Sequence, residues 1–107
     1  MKRLLAAALL SLPLAVLAAD EPTFNLVIEN HKFSPDRIEV PAGKKVKFVI
    51  ENKDATPEEF ESEVLKIEKV IPGKSKGTVF IGPLKAGEYK FVGEYNEKTA
   101  KGVVVAK

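Results

Sequence analysis

The stretch Lys45-Val46-Lys47-Phe48-Val49-Ile50-Glu51 decides the fold class of this chain. Its apolar residues Val46, Phe48 and Ile50 occupy every second position, and charged residues flank them. Successive side chains of an extended strand point to opposite faces of a sheet. The alternation therefore predicts a β-strand that buries one face and exposes the other.

Strands of the same kind are predicted on both sides of this one, and turn signals at Pro41-Ala42-Gly43 and Pro72-Gly73 separate them. The further strands are residues 24–28, 37–40, 65–71, 78–81, 88–94 and 102–105. Short strands at a spacing of roughly 8–12 residues are typical of antiparallel sandwiches and barrels. The sequence therefore predicts an all-β Greek-key β-sandwich or barrel of about seven to eight strands.

One segment interrupts the alternation. Thr56-Pro57-Glu58-Glu59 has the form of a helix start, with a Thr cap, Pro at the first helical position and Glu at the third. At most a short helical turn is therefore expected near residues 56–60. Phe33 and Phe60 are expected to point into the core.

The N-terminal segment has the layout of a secretory signal. Met1-Lys2-Arg3 is positive, the run from Leu4 to Leu17 is almost wholly apolar, and small residues end the segment. A membrane-spanning helix needs about 20 apolar residues, which is more than this run provides. We therefore expect residues 1–19 to be a cleaved signal peptide and residues 20–107 to form one exported domain. A retained N-terminal anchor is the alternative.

Composition excludes several classes of function. Without the two basic residues of the predicted leader, the chain has 15 basic and 15 acidic residues, and this balance gives no indication of a nucleic-acid surface. The absence of Cys excludes cysteine nucleophiles, zinc–thiolate sites and blue-copper centres. His31 is the only His, and no independent catalytic constellation accompanies it.

Two blocks of the sequence resemble the cupredoxin family. The first runs through Phe33-Ser34-Pro35, Ile38 to Gly43, Val46-Lys47-Phe48 and Asn52-Lys53-Asp54, and the second is Pro83 to Phe91. The resemblance implies a sandwich of cupredoxin type over the whole domain. It also implies that Tyr89 is a tyrosine corner, whose hydroxyl ties down the loop before its strand.

The same resemblance indicates where copper ligands would stand. The family's two His positions fall on Glu58 and near Asn96, its Cys position near Gly93, and its Met position near Thr99 or Ala100. Every one of these residues departs from the family's pattern. A blue-copper site is therefore excluded, because it requires a thiolate.

A narrower resemblance concerns residues 54–62 and 93–100. These segments are similar to small periplasmic cupredoxin-like proteins that accompany bacterial iron permeases. That resemblance implies a periplasmic protein that binds copper or iron and assists iron uptake or ferrous iron oxidation. A membrane permease complex or another periplasmic protein would then be its partner. The sequence leaves the oligomeric state open.

The candidate metal ligands are His31, Glu58, Glu59, Glu61 and Glu94. Imidazole and carboxylate groups suit Cu(II), iron, manganese and zinc. An inward Phe60 would send Glu59 and Glu61 to the opposite face together. Each residue also has a simpler interpretation: a polar loop His, a helix cap or first-turn acid, or a surface ion pair. The alternative function is a metal-free β-sandwich that acts as a protein-interaction subunit.

Overall fold

Nine strands form a β-sandwich in the computed structural model, which describes residues 21–107. The strands are β1 (Thr23–Glu29), β2 (Lys32–Ser34), β3 (Arg37–Val40), β4 (Val46–Asn52), β5 (Glu58–Ser62), β6 (Ile67–Ile71), β7 (Ser75–Ile81), β8 (Gly87–Gly93) and β9 (Lys101–Ala106). The all-β prediction is confirmed. Within the described range, the structure has no helix long and apolar enough to cross a membrane. The signal-peptide prediction for residues 1–19 lies outside the described residues.

The strands divide into two sheets. Four strands are ordered β2-β1-β4-β7, and five are ordered β3-β9-β8-β5-β6. Two neighbouring pairs, β1 with β4 and β3 with β9, are parallel, and the other pairs are antiparallel. The sequence pattern, which is typical of antiparallel sandwiches, did not indicate these two parallel pairs. After β1 and β2, the chain crosses to the second sheet at β3 and then returns as β4 beside β1. Strands β1 and β4 therefore run in the same direction.

The core lies between the two sheets and centres on a group of phenylalanines. The ring of Phe60 stacks on Phe91 with their centroids 4.8 Å apart. Phe33 meets Phe91 edge-on at 5.0 Å, and Phe48 meets Phe60 edge-on at 6.4 Å. Such aromatic pairs contribute about 0.5–1.5 kcal/mol each beyond the area they bury. The inward prediction for Phe33 and Phe60 is confirmed, since both are buried.

The short helical turn expected near residues 56–60 is not formed. Glu58–Ser62 is strand β5, in which Phe60 lies opposite Lys69 of β6 and Gly93 of β8. The backbone N–H of Glu59 donates to the side chain of Glu58, so the capping box with Thr56 is absent. Pairing with two strands and burial of Phe60 outweigh the local helix-start pattern. The 3₁₀ turn of the described chain is at Glu94–Asn96 instead.

The tyrosine corner predicted at Tyr89 is confirmed. Its hydroxyl donates a 2.7 Å hydrogen bond to the backbone carbonyl of Lys85, across the turn that precedes β8. We expect Tyr89→Phe to lower the free energy of unfolding by about 1 kcal/mol, because one net hydrogen bond is lost while the ring stays. Urea denaturation of the two proteins measures the difference. Tyr95→Phe, which removes a hydroxyl from a half-exposed ring, is the control and should leave stability unchanged.

Candidate functional site

Strand β5 carries acidic side chains on both of its faces. Glu58, Phe60 and Ser62 are buried, whereas Glu59 and Glu61 lie on the opposite, partly exposed face. This alternation follows from the period of a strand, and it confirms that Glu59 and Glu61 point to one side together. The strand therefore contributes to two different places, one inside the sandwich and one on its surface.

On the outer side, Glu61, Glu94 and Glu97 form a group that we call the carboxylate cluster. One carboxylate oxygen from each residue lies within 4.8 Å of the others. Glu94 begins the 3₁₀ turn and Glu97 follows that turn directly. Side chains three residues apart in a 3₁₀ turn lie above one another, which places Glu94 and Glu97 on the same side. The sequence reasoning missed Glu97, and this three-residue spacing is the signal that could have found it.

The cluster concentrates negative charge. Hydrogen bonding with the carboxyl group of Glu94 raises the pKa of Glu61 to about 7, and partial desolvation and the charges of Glu94, Glu68 and Glu59 add to the shift. The pKa of Glu59 is also raised, first by desolvation and then by Glu94. Within residues 21–107, no Lys or Arg nitrogen lies within 4.0 Å of these carboxylates. Repulsion of this kind is relieved by taking up a proton or a cation.

A shallow depression of about 400 Å³ adjoins the cluster. It lies beside the short β5–β8 pairing, in which Phe60 lies opposite Gly93 and Glu61 opposite Val92. Beyond this pairing the hydroxyl of Ser62 donates to the carbonyl of Lys90 at 2.7 Å. The lining residues are Glu61, Glu63, Val64, Lys90, Phe91, Val92 and Glu97. The depression gives an ion or a partner side chain direct access to two residues of the cluster.

On the inner side, the residues that stand at the family's copper positions do come together. The Glu58 carboxylate accepts a 2.8 Å hydrogen bond from Nδ2 of Asn96. A Cβ atom on Gly93 would lie 2.6 Å from Cδ of Glu58 and 2.7 Å from Cβ of Ala100. The two strands and the loop after β8 therefore converge as the resemblance implies.

These inner residues do not fit a copper ion. Oε1 of Glu58 accepts hydrogen bonds from the backbone N–H groups of Glu59 and Tyr95, both at 2.9 Å, and Oε2 accepts from Asn96. Asn96 thus presents a donor rather than a ligand atom to this point. No thiolate or imidazole is present among the residues at the four family positions. Copper needs such donors in a site of this type.

His31 is not among the residues of the carboxylate cluster. It occupies the β1–β2 turn with a positive φ of 59°, and its backbone N–H donates to the carboxylate of Asp54 at 3.0 Å. Nδ1 of its ring is 3.5 Å from the same carboxylate. This backbone hydrogen bond from His31 is the main cause that lowers the pKa of Asp54. The structure therefore groups Glu59, Glu61 and Glu94 together, turns Glu58 inward and places His31 with Asp54.

Similarity to known proteins agrees with this architecture. Residues 2–106 match the family described as Cupredoxin-like domain. Over 80 residues, the chain is 38% identical to the Uncharacterized protein RP394 of Rickettsia prowazekii (strain Madrid E). That match covers 75% of this chain and 64% of the relative, so the chain spans less than two thirds of the relative's length.

Two solved structures with the same fold are copper proteins. One is auracyanin A, described as a "blue" copper protein from Chloroflexus aurantiacus, with a TM-score of 0.67 and 16% identity over 82% of this chain and 100% of that one. The other is the metal binding domain of the Cu(I) exporting P-type ATPase CopA of Streptococcus pneumoniae D39, solved with Cu(I). Its TM-score is 0.68, with 16% identity over 79% of this chain and 84% of that one. At these identities the likeness concerns the fold.

Proposed function

This chain belongs to the cupredoxin-like domain family, and from that premise we propose that it is an exported accessory protein that binds a transition-metal ion at the carboxylate cluster. The observation that carries the proposal is the convergence of Glu61, Glu94 and Glu97, with their oxygens within 4.8 Å of one another. Glu59 adds a fourth acid beside Glu94. Three or four acidic groups that form no ion pair within residues 21–107 are a suitable ligand set for a divalent ion.

The chemistry of the donor atoms limits which metal ions could bind at the cluster. Carboxylate oxygens suit iron, manganese and Cu(II), whereas Cu(I) prefers the soft sulfur ligands that this chain lacks at the cluster. Copper is supported by the metals of the structural neighbours, and iron by the similarity of residues 54–62 and 93–100 to accessory proteins of iron permeases. The proposed role is to assist iron uptake in the periplasm, by handing over ferrous iron or by holding it while a separate electron acceptor oxidises it, with a membrane permease complex as the partner.

Calorimetric titration of the purified protein with Cu(II), Fe(II) and Zn(II) tests the proposal. We expect at least one of these ions to bind with a Kd below about 0.1 mM. Glu61→Gln should weaken binding by about tenfold or more, because it removes one charged ligand. Glu29→Gln, an exposed change on β1 in the other sheet, is the control. Failure of all three ions to bind, or equal binding by Glu61→Gln and the wild type, would contradict the proposal.

The same titration should depend on pH in one direction. The pKa of Glu61 is raised to about 7, so at lower pH a metal ion must displace a proton from this carboxyl group. Affinity is therefore expected to increase as the pH rises through about 7 and to level off above it. Repeating the titration at several pH values for the wild type and for Glu61→Gln measures this effect. An equally steep rise in Glu61→Gln would assign the proton to another group.

A second candidate is a metal-free subunit that acts through protein contact. The inner site favours this candidate, because Asn96 donates a hydrogen bond to Glu58 at the family's copper position. Val64 and Tyr95 then offer apolar contact area, being 61% and 52% exposed. If the protein acts through protein contact, we expect Glu61→Gln to retain partner capture in a pull-down and Val64→Asp to abolish it. Loss of partner capture in Glu61→Gln, together with retained capture in Val64→Asp, supports the metal-binding function.

A further inference from the structure

The loop between β8 and β9, residues 93–100, is only partly held by its own backbone. The N–H of Gly93 donates to the carbonyl of Ala100 at 2.9 Å and closes the base of the loop. The carbonyl of Asn96 accepts from the N–H groups of Thr99 and Ala100 at 3.1 and 2.8 Å. These bonds stabilise the second half of the loop. They leave the N–H of Tyr95 and the side chain of Asn96 to be satisfied by another part of the molecule.

Glu58 of β5 supplies the missing partners. Glu58 is 1% exposed, and its carboxylate accepts hydrogen bonds from the Tyr95 N–H at 2.9 Å and from the Asn96 amide at 2.8 Å. A buried carboxylate is costly unless its oxygens are hydrogen-bonded, and charge-assisted bonds are stronger than neutral ones. Strand and loop therefore each depend on the other at this point.

The contact also occupies the space in which another group could cross-link the same elements. Cδ of Glu58 lies so close to Gly93 that a Cβ on that residue would be 2.6 Å away. Both carboxylate oxygens already accept hydrogen bonds. A metal ion at this position would have to compete with these bonds for the oxygens of Glu58.

We propose that the Glu58 carboxylate takes the place of a metal ion as the cross-link between β5 and the 93–100 loop, so that the loop is fixed in the metal-free protein. This inference does not depend on metal binding at the outer carboxylate cluster. Glu58, a buried acid at a ligand position of the family, then has a structural role. The inner site around it holds no metal ion, in contrast to the outer carboxylate cluster.

Amide hydrogen exchange followed by NMR tests the proposal on protein treated with EDTA. In the wild type, the Tyr95 amide should already be protected before any metal ion is added. Glu58→Gln should accelerate exchange at Tyr95 by about tenfold or more, because the amide has one uncharged acceptor oxygen in place of the two carboxylate oxygens that accept three bonds. Amides of the central strand β4 should keep their rates, which distinguishes loop release from global destabilisation.

Two further variants keep the test decisive. Asn96→Ala removes the side-chain amide that donates to Glu58 from a half-buried turn and leaves Glu58 in place, so it reports on the cross-link even if Glu58→Gln does not fold. Glu63→Gln, an exposed change after β5, is the control. The proposal is overturned if Tyr95 exchanges at the wild-type rate in both Glu58→Gln and Asn96→Ala, or if Tyr95 gains protection only after a metal ion is added. Weak calorimetric binding by a wild type whose loop is protected would reject the proposed function alone.

Discussion

Phe60→Ala is expected to lower the free energy of unfolding by about 3–5 kcal/mol, the usual cost of removing a buried phenylalanine ring. Phe60 is fully buried and stacks on Phe91 at 4.8 Å. It also meets Phe33 and Phe48 edge-on. Truncation therefore leaves a cavity that borders both sheets, and the neighbouring rings lose their contacts on one side.

Chemical denaturation with urea or guanidinium measures this loss. Phe80→Ala is the matched control, because Phe80 is 50% exposed and its contact with Lys45 is a cation–π pair at 5.0 Å. Such an exposed pair contributes about 0.5–1 kcal/mol. Equal losses in the two variants would contradict the central position that we assign to Phe60.

Asn52→Ala should cost about 2–4 kcal/mol, because it removes a set of hydrogen bonds that no neighbour can replace. Asn52 is fully buried at the end of β4. Its Nδ2 group faces three carbonyls, those of Thr56, Ile71 and Pro72, at 2.9, 3.1 and 3.3 Å. Its Oδ1 accepts from the N–H of Asp54 at 3.0 Å. One side chain thus joins the loop before β5 to the turn after β6.

The effect of Asn52→Ala is measured by thermal or chemical denaturation beside Asn25→Ala. Asn25 lies on β1 with its side chain exposed, and its replacement should change stability by less than about 0.5 kcal/mol. Asn52→Asp provides a second comparison, because it keeps the Oδ1 acceptor and loses the Nδ2 donor. A stability of Asn52→Ala close to that of Asn25→Ala would show that water satisfies these carbonyls.

Sequence alternation predicted the strands that carry apolar residues at every second position. Residues 45–51, 37–40 and 102–105 lie within or close to observed strands. Strand β5 escaped this reasoning because its sequence, E-E-F-E-S, offers a single apolar side chain. Its inward polar residues, Glu58 and Ser62, are buried because partners far away in the sequence satisfy them. Such long-range hydrogen bonds leave no periodic signal in the sequence.

The sequence likewise predicted only part of the candidate site. Glu59 and Glu61 share a face because they are two residues apart in a strand, and the topology of β5 and β8 brings Glu94 beside them. His31 joined the predicted set through loop position alone. The structure gives it another neighbour, because Asp54 accepts from the N–H groups of the β1–β2 turn. That interaction depends on side-chain orientation, which an assignment of strands and loops does not contain.

The parallel pairing of β3 with β9 bears on how fast this protein folds. Arg37 lies opposite Val103, so residues from distant parts of the chain must meet before the five-stranded sheet is complete. Closing so long a loop costs entropy before any contact compensates for it. Domains dominated by such distant pairings fold in roughly milliseconds to seconds. Slow closure would suit the exported protein that we propose, because a chain that delays its native pairing stays extended for longer, and translocation through a narrow channel requires an extended chain.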